Sequence, residues 1–239
     1  MNAVERGRYR ARLVEGPLDM DQVLHLRRAV FRADRAEDGD AFDARCQHLM
    51  VEEASGHLVA TLRMQGCTGP GIADSYAAQF YDLTALGGFA APMLELGRFA
   101  LRPGLHDPDI LRLVWAALTQ IVDARAIGVL FGCSSFPGVE PAAHVDALAL
   151  LAARHLAPRR WGPEVKGRAF SFGRVLAGHP VAVETGLAGM PPLLRSYLAL
   201  GGWVSDHAVA DPDLDTLHVF TAVEVAQIPA ARLRALRAL

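Results

Sequence analysis

The sequence predicts a mixed α/β or α+β fold, a sheet flanked by helices. Three observations carry that expectation. Strand-type and helix-type segments alternate along the chain, the pattern of a sheet covered by helices. Neither an internal repeat nor a low-complexity linker interrupts them. At 239 residues, with 51% hydrophobic and 21% charged, the chain can bury a substantial core as one large domain. The formal net charge of -2 and this apolar content exclude a disordered chain and a nucleic-acid-coating protein.

The elements read in order as follows. Residues 9–14 form a first strand. A helix runs from Asp19 to about Ala33, with Pro17 just before it and acids in its first turn. At 100° per residue, Met20, Val23, Leu24 and Phe31 make one apolar stripe. An acidic loop, Asp38-Gly39-Asp40-Ala41-Phe42-Asp43, follows; we take Asp38 as a solvated turn residue. Residues 48–53 and 58–65 make a hairpin closed by Ala54-Ser55-Gly56-His57. The short amphipathic segment 75–83 has no assigned type, and residues 93–101 are a strand. Asp107 caps a helix that opens on Pro108 and runs to about Ala126. A strand at 129–136 and a helix at about 141–155 come next. From Leu156 the texture changes, and 157–168 is basic, irregular and exposed. A capped helix after Pro191, strands at 203–209 and 216–223, and a terminal amphipathic helix opened by Pro229 complete the chain.

Two features point to chemistry. Burying charge costs several kcal/mol (~2–5) unless the charge is paired or used. Yet Met93-Leu94-Glu95-Leu96-Gly97-Arg98-Phe99-Ala100-Leu101 puts an acid and a base in an apolar strand. Alternation would send Glu95 and Arg98 to opposite faces. A glycine inside a strand marks a bulge that re-aims a side chain, so Gly97 suggests that both face one cleft. A structural ion pair at a sheet rim is the bland alternative. Arg27 lies mid-stripe on the first helix, either snorkelling or reaching a carboxylate in a polar cavity. Arg63 adds a second cation from the strand Leu58 to Met64.

With these residues assembled, the chain resembles the acyl-homoserine-lactone-synthase-like branch of the GNAT acyltransferases. Within it, the chain is similar to the bacterial ornithine–acyl-carrier-protein N-acyltransferases. The resemblance rests on Leu26-Arg27 with Val30-Phe31, Asp40-Ala41-Phe42-Asp43, Thr61-Leu62-Arg63 and Glu95-Leu96-Gly97-Arg98. It continues through 130–138 and Pro191-Pro192-Leu193-Leu194 with Tyr197-Leu198 and Gly201-Gly202. Autoinducer synthases generally lack the extension around 191–221 and usually carry tryptophan where this chain reads Arg32-Ala33-Asp34-Arg35.

The resemblance implies one GNAT-like domain over 1–239, with a mostly antiparallel twisted sheet, a core at about 8–156 and a C-terminal extension at about 157–239. It implies transfer of a 3-hydroxyacyl chain from acyl carrier protein to the α-amine of an amino acid, giving a lyso-amino-acid lipid. Glu95 is then the base, and amides at Leu96 and Gly97 stabilise the oxyanion. Arg27, Arg63 and Arg98 compete for the acceptor carboxylate, with Phe31, Asp40 and Asp43 completing the substrate-binding set. Gln79 stands where ornithine-type relatives usually carry glutamate, which makes glutamine an alternative acceptor to ornithine. No bound cofactor is expected; the donor is acyl-phosphopantetheine on its carrier. The turn 102–108 is a poor pyrophosphate cradle, because Asp107 caps the helix amides and Pro108 removes one. The basic stretch 154–168 is either a patch for an acidic carrier or a solvated loop.

Cys46, Cys67 and Cys133 are odd in number without Cys-x-x-Cys spacing, as in a reducing compartment. Cys46 and His48 alone do not make a zinc site, and no metal is expected. Cys133 lacks a spaced His/Asp partner, and His106, His144 and His155 lack convergent partners in sequence. Trp115, Leu118, Ile121 and Val122 read as core. No apolar signal region opens the chain and no run nears the ~20 residues that span a bilayer. The expectation is a cytoplasmic protein, with peripheral inner-membrane contact left open for the terminal helix. Competing functions are a signal synthase using S-adenosylmethionine and a carrier-protein binder without chemistry.

Overall fold

The computed structural model describes residues 1–32 and 38–238. The expected end of the first helix at Ala33, the loop residues Asp34 and Arg35, and Leu239 lie outside the described residues. In chain order the first elements are β1 (Val4–Arg6), β2 (Tyr9–Leu13), α1 (Pro17–Phe31), β3 (Gln47–Glu53) and β4 (Leu58–Cys67). Next come β5 (Tyr81–Asp82), β6 (Met93–Leu101), α2 (Pro108–Arg125), β7 (Val129–Pro137) and α3 (Val145–Arg154). Then follow β8 (Glu164–Val165), β9 (Ala169–Ser171), α4 (Phe172–Val175), α5 (Val183–Ala188) and α6 (Pro192–Ala199). β10 (Trp203–Asp211), β11 (Thr216–Glu224) and α7 (Ala230–Arg237) close the order. The chain folds into two compact units that interleave in sequence. The first takes Met1–Gly66, Leu94–Ile127 and the stretch from Ala230; the second takes Cys67–Met93 and Gly128–Pro229.

In the first unit the strands lie in the order β1-β2-β3-β4-β6. β1 to β4 pair antiparallel, with Ala11 opposite Val51 and Leu49 opposite Leu62. Gly56, at φ +81°, turns the β3–β4 hairpin as its sequence predicts. The Arg102 amide donates to Val59 O at 2.8 Å, tying the end of β6 to the start of β4. Helix α1 starts two residues before Asp19, with Pro17 in its first turn, where the missing N–H costs nothing. Its buried face centres on Val23, Leu26 and Arg27, with Met20, Leu24 and Phe31 half-buried at the edge. Asp107 caps α2, its carboxylate accepting from Asp109 N at 3.0 Å, and Ala126 at φ +51° ends the helix. Trp115, Leu118, Ile121 and Val122 are core, as their spacing predicts. Helix α7 packs on α2, where Arg237 Nη2 meets Asp123 Oδ1 at 2.7 Å.

In the second unit β7-β11-β10-β9 form an antiparallel series. β11 is central and buried from Leu217 to Val223, which its apolar run predicts. Between Val204 and Ala208 the β10–β11 register shifts. Ser205 holds the irregularity, donating to His207 O at 2.6 Å and accepting from Phe220 N at 3.1 Å. The segment 157–168 is more ordered than its composition predicts. Ala157 N donates to Val204 O at 2.8 Å, Val165 pairs with Tyr81 across β8 and β5, and Trp161 packs edge-on against Phe89. These contacts come from remote residues, which a local reading does not see. Arg159, Arg160 and Arg168 remain exposed, as expected. His144 also finds a partner, its Nε2 lying 2.8 Å from Pro137 O. No described helix is long and apolar enough to cross a membrane.

One close approach makes a test of the second unit. A Cβ at Gly128 would fall 2.6 Å from Ala91 Cβ and 2.8 Å from the Phe89 ring. Gly128→Ala should therefore cost about 1–3 kcal/mol of stability in denaturant titration, since neither neighbour can yield cheaply.

Candidate active site

Helix α1 brings Arg27 into the interior of the first unit with no solvent exposure. A guanidinium there needs partners for nearly all its donors. Nε donates to Asp38 Oδ2 at 2.6 Å and Nη2 to the Asp38 carbonyl at 3.0 Å. Nη1 and Nη2 grip the two carboxylate oxygens of Asp43 at 2.7 and 3.2 Å, a bidentate fork. The choice left open by the helix pattern is resolved: Arg27 points inward to carboxylates. This corrects the reading of Asp38 as a solvated turn residue, since it is 1% exposed. The loop folds inward because Arg27 requires an acid, a demand made by a residue on another element. Arg32 Nε stands 3.1 Å from the second Asp38 oxygen.

Asp43 carries the network onward. Its Oδ1 also accepts from Arg63 Nη1 at 3.0 Å, and its Oδ2 from Asp40 N at 2.9 Å. Burial pushes this carboxyl up, but the bonds from Arg27, the Asp40 amide and Arg63 outweigh it and hold it down to about 2. Asp40 joins two strands: Oδ1 accepts from Arg63 Nη1 at 2.6 Å and Oδ2 from Arg98 Nη2 at 3.0 Å. Aromatic rings line the same arginines. The Arg63 guanidinium lies 5.5 Å from the Phe42 ring centre, and Arg98 lies 5.9 Å from that of Phe31.

The strand β6 departs from regular alternation at Arg98, whose φ is +50°; Gly97 itself has no positive φ. This shifts the irregularity one residue along from the predicted position. A Cβ at Gly97 would meet nothing within 4 Å, so close packing does not demand the glycine. A left-handed arginine costs about 1–2 kcal/mol and persists only when its surroundings hold it. Its side chain, 5% exposed and bonded to Asp40, is so held. Glu95 is 5% exposed and Leu96 4%, both interior. The half-buried Cys46 thiol marks where the acid lies. Burial pushes it up to about 11, and it senses the charges of Arg63, Glu95, Asp43 and Asp40 together. Arg63, Glu95, Asp43 and Asp40 thus all act on the Cys46 thiol, and Glu95 lies inside the unit that holds the Asp40 clamp.

Gln79 belongs to the second unit, is exposed, and turns its amide back to Tyr76 O at 3.2 Å. His48, set aside in sequence as half of an inadequate zinc site, is buried beside Asp43, with Nε2 3.8 Å from Oδ1. Its pairing opposite Arg63 across β3 and β4 is the signal that places it there. Among the described residues no group of three or more His, Cys, Asp or Glu could hold a metal ion.

The fold and this site define a GNAT-type acyltransferase. The acetyltransferase (GNAT) domain model matches residues 25–116, which span Arg27 to Arg98. Two solved structures share the fold: FeeM, an N-acyl amino acid synthase from uncultured soil microbes, and the acyl-homoserine-lactone (AHL) synthase LasI. FeeM superposes with a TM-score of 0.56 at 12% identity, covering 94% of this chain and 98% of FeeM. LasI gives 0.50 at 16%, covering 96% and 95%. An L-ornithine N(alpha)-acyltransferase of Rhodobacter capsulatus is 32% identical over 194 residues, 78% of this chain and 74% of the relative. The chain belongs to the L-ornithine N(alpha)-acyltransferase family, and it is an N-acyltransferase.

Asp38→Ala removes one partner of a fully buried cation and should cost about 3–5 kcal/mol in denaturant titration; a solvated Asp38 would cost under about 0.5 kcal/mol. The site also sets an acid limit. Asp43 and Asp19 are both held down to about 2, Asp19 chiefly by Arg12, and both are more acidic folded than unfolded. Their contribution is complete above the ordinary carboxyl value of 3.8 and disappears as the pH falls toward 2. Stability followed by near-ultraviolet circular dichroism should drop across that window, and less steeply in Asp43→Asn.

Proposed function

We propose that this enzyme moves a 3-hydroxyacyl chain from the phosphopantetheine thioester of an acyl carrier protein to the α-amine of ornithine, forming a lyso-ornithine lipid. The observation that carries the reading is the Asp40 clamp. It draws Arg63 and Arg98 together, and the buried Glu95 lies on the same strand as Arg98. The two guanidinium groups bind the acceptor carboxylate, and Asp40 meets the α-ammonium. Glu95, directly or through one water, removes a proton so that the amine attacks the thioester carbon. Amides at Leu96 and Gly97 stabilise the oxyanion of the tetrahedral intermediate, which collapses with loss of the phosphopantetheine thiol.

Two further features support the donor and acceptor. The Asp107 carboxylate already fills the start of α2, accepting from Asp109 N and from Tyr9 Oη at 2.9 Å, which suits a donor without pyrophosphate. The exposed Arg159, Arg160 and Arg168 suit an acidic carrier. Four relatives that share the name L-ornithine N(alpha)-acyltransferase favour ornithine, while Gln79 keeps glutamine as the competing acceptor.

The test offers purified protein 3-hydroxyacyl chains on carrier protein or on coenzyme A, with ornithine or glutamine, and reads products by mass spectrometry. N-acylornithine from the carrier-bound donor is expected. A preference for glutamine or coenzyme A, or release of methylthioadenosine from S-adenosylmethionine, would overturn it. Glu95→Gln should lower kcat about 10²- to 10⁴-fold.

A further inference from the structure

His48 is a polar side chain that the proposed chemistry does not use and that its own surroundings do not satisfy. The residue is 5% exposed, and neither ring nitrogen has a hydrogen-bond partner among the described residues. A buried donor or acceptor left unmade costs about 1–3 kcal/mol, so the ring's placement needs a reason. The Asp43 backbone acts on the ring from nearby, and its carboxylate stands beyond hydrogen-bond range, Nε2 lying 3.8 Å from Oδ1. Burial pushes the imidazole below its ordinary value, so at neutral pH it carries one N–H and no charge.

The oxygen it faces is the one already shared. Asp43 Oδ1 accepts from Arg27 Nη1 at 2.7 Å and from Arg63 Nη1 at 3.0 Å. Arg63 Nη1 in turn divides between that oxygen and Asp40 Oδ1 at 2.6 Å. Arg27 is enclosed and gripped by two acids, whereas Arg63 is the member of this pair whose donors the acceptor carboxylate would recruit. If Arg63 turns to that carboxylate, Asp43 Oδ1 loses a donor inside a low-dielectric interior.

We propose that His48 is a positioning residue for acceptor binding: its Nε2–H moves onto Asp43 Oδ1 when Arg63 leaves that oxygen for the carboxylate of the incoming amino acid. The role rests on the amino-acid acylation reading above and deepens it. The imidazole touches no reacting atom; it lowers the cost of releasing Arg63 and so strengthens acceptor binding rather than the chemical step.

Steady-state kinetics on three variants test this. Glutamine places an amide nitrogen where Nε2 stands, asparagine places one nearer Nδ1, and phenylalanine keeps the shape without a donor. His48→Phe should raise KM for ornithine about 10-fold, the value of one hydrogen bond to a charged group, with kcat changed less than about 2-fold. His48→Gln should return KM to within about 3-fold of the parent, and His48→Asn should not. Melting temperatures are measured alongside. Equal KM in the Asn and Gln variants, or a lowered melting temperature with unchanged KM, would overturn the proposal. Should the Phe variant fail to fold, the Gln-against-Asn split decides alone. Parent enzyme that acylates no amino acid would instead defeat the underlying reading.

Discussion

The site depends on a guanidinium with no access to water. Arg27 could not be buried without Asp38 and Asp43, and neither acid would sit as it does without Arg27. From that pair the order propagates by contact. Asp43 fixes the Asp40 amide, Asp40 fixes Arg63 and Arg98, and Arg98 holds a backbone conformation that arginine disfavours. Asp40 and Asp43 each accept from more than one donor, so the arrangement behaves as one object. Such ion clusters contribute little net stability beside an apolar core of equal volume. Their value is geometric: they hold Arg27, Arg63 and Arg98 to one arrangement.

The same arrangement separates the acids by role. Asp43 receives bonds from two arginines and an amide, which keeps it ionised and unsuited to taking a proton near neutrality. Asp38 is enclosed behind Arg27 and meets no solvent through its side chain. Glu95 comes from the floor strand, apart from the loop that supplies the other three acids. In the proposed reaction Glu95, supplied by β6, serves as the base.

What the sequence revealed follows the range of each interaction. Helix α2 was readable at both ends because its cap, its Pro and its apolar period all lie within the segment itself. The β3–β4 hairpin was readable for the same reason, Gly56 sitting in the turn it makes. Arg27 was ambiguous: periodicity placed it on the buried face but did not say what it would meet. Asp38 was missed outright, since a run of acids beside glycine looks solvated until a buried cation elsewhere claims one of them. An irregularity in β6 is legible at Gly97, yet the left-handed residue is Arg98, whose side chain is held by the remote acid Asp40. The segment 157–168 is as basic and exposed as it reads, but its partners Val204, Tyr81 and Phe89 lie too far along the chain to be read locally. His48 lacked any local mark, and only its register opposite Arg63 gives it meaning.

The interleaving of the two units has a bearing on biosynthesis. The first unit holds residues from three separate stretches, and its last contribution, α7 with the Arg237–Asp123 clasp, leaves the ribosome after the second unit's final strand. The second unit, completed by Pro229, has all its strands available before that clasp can form. A nascent chain thus carries the ion cluster on a body still awaiting its last helix, and vectorial synthesis favours the order in which the second unit matures first.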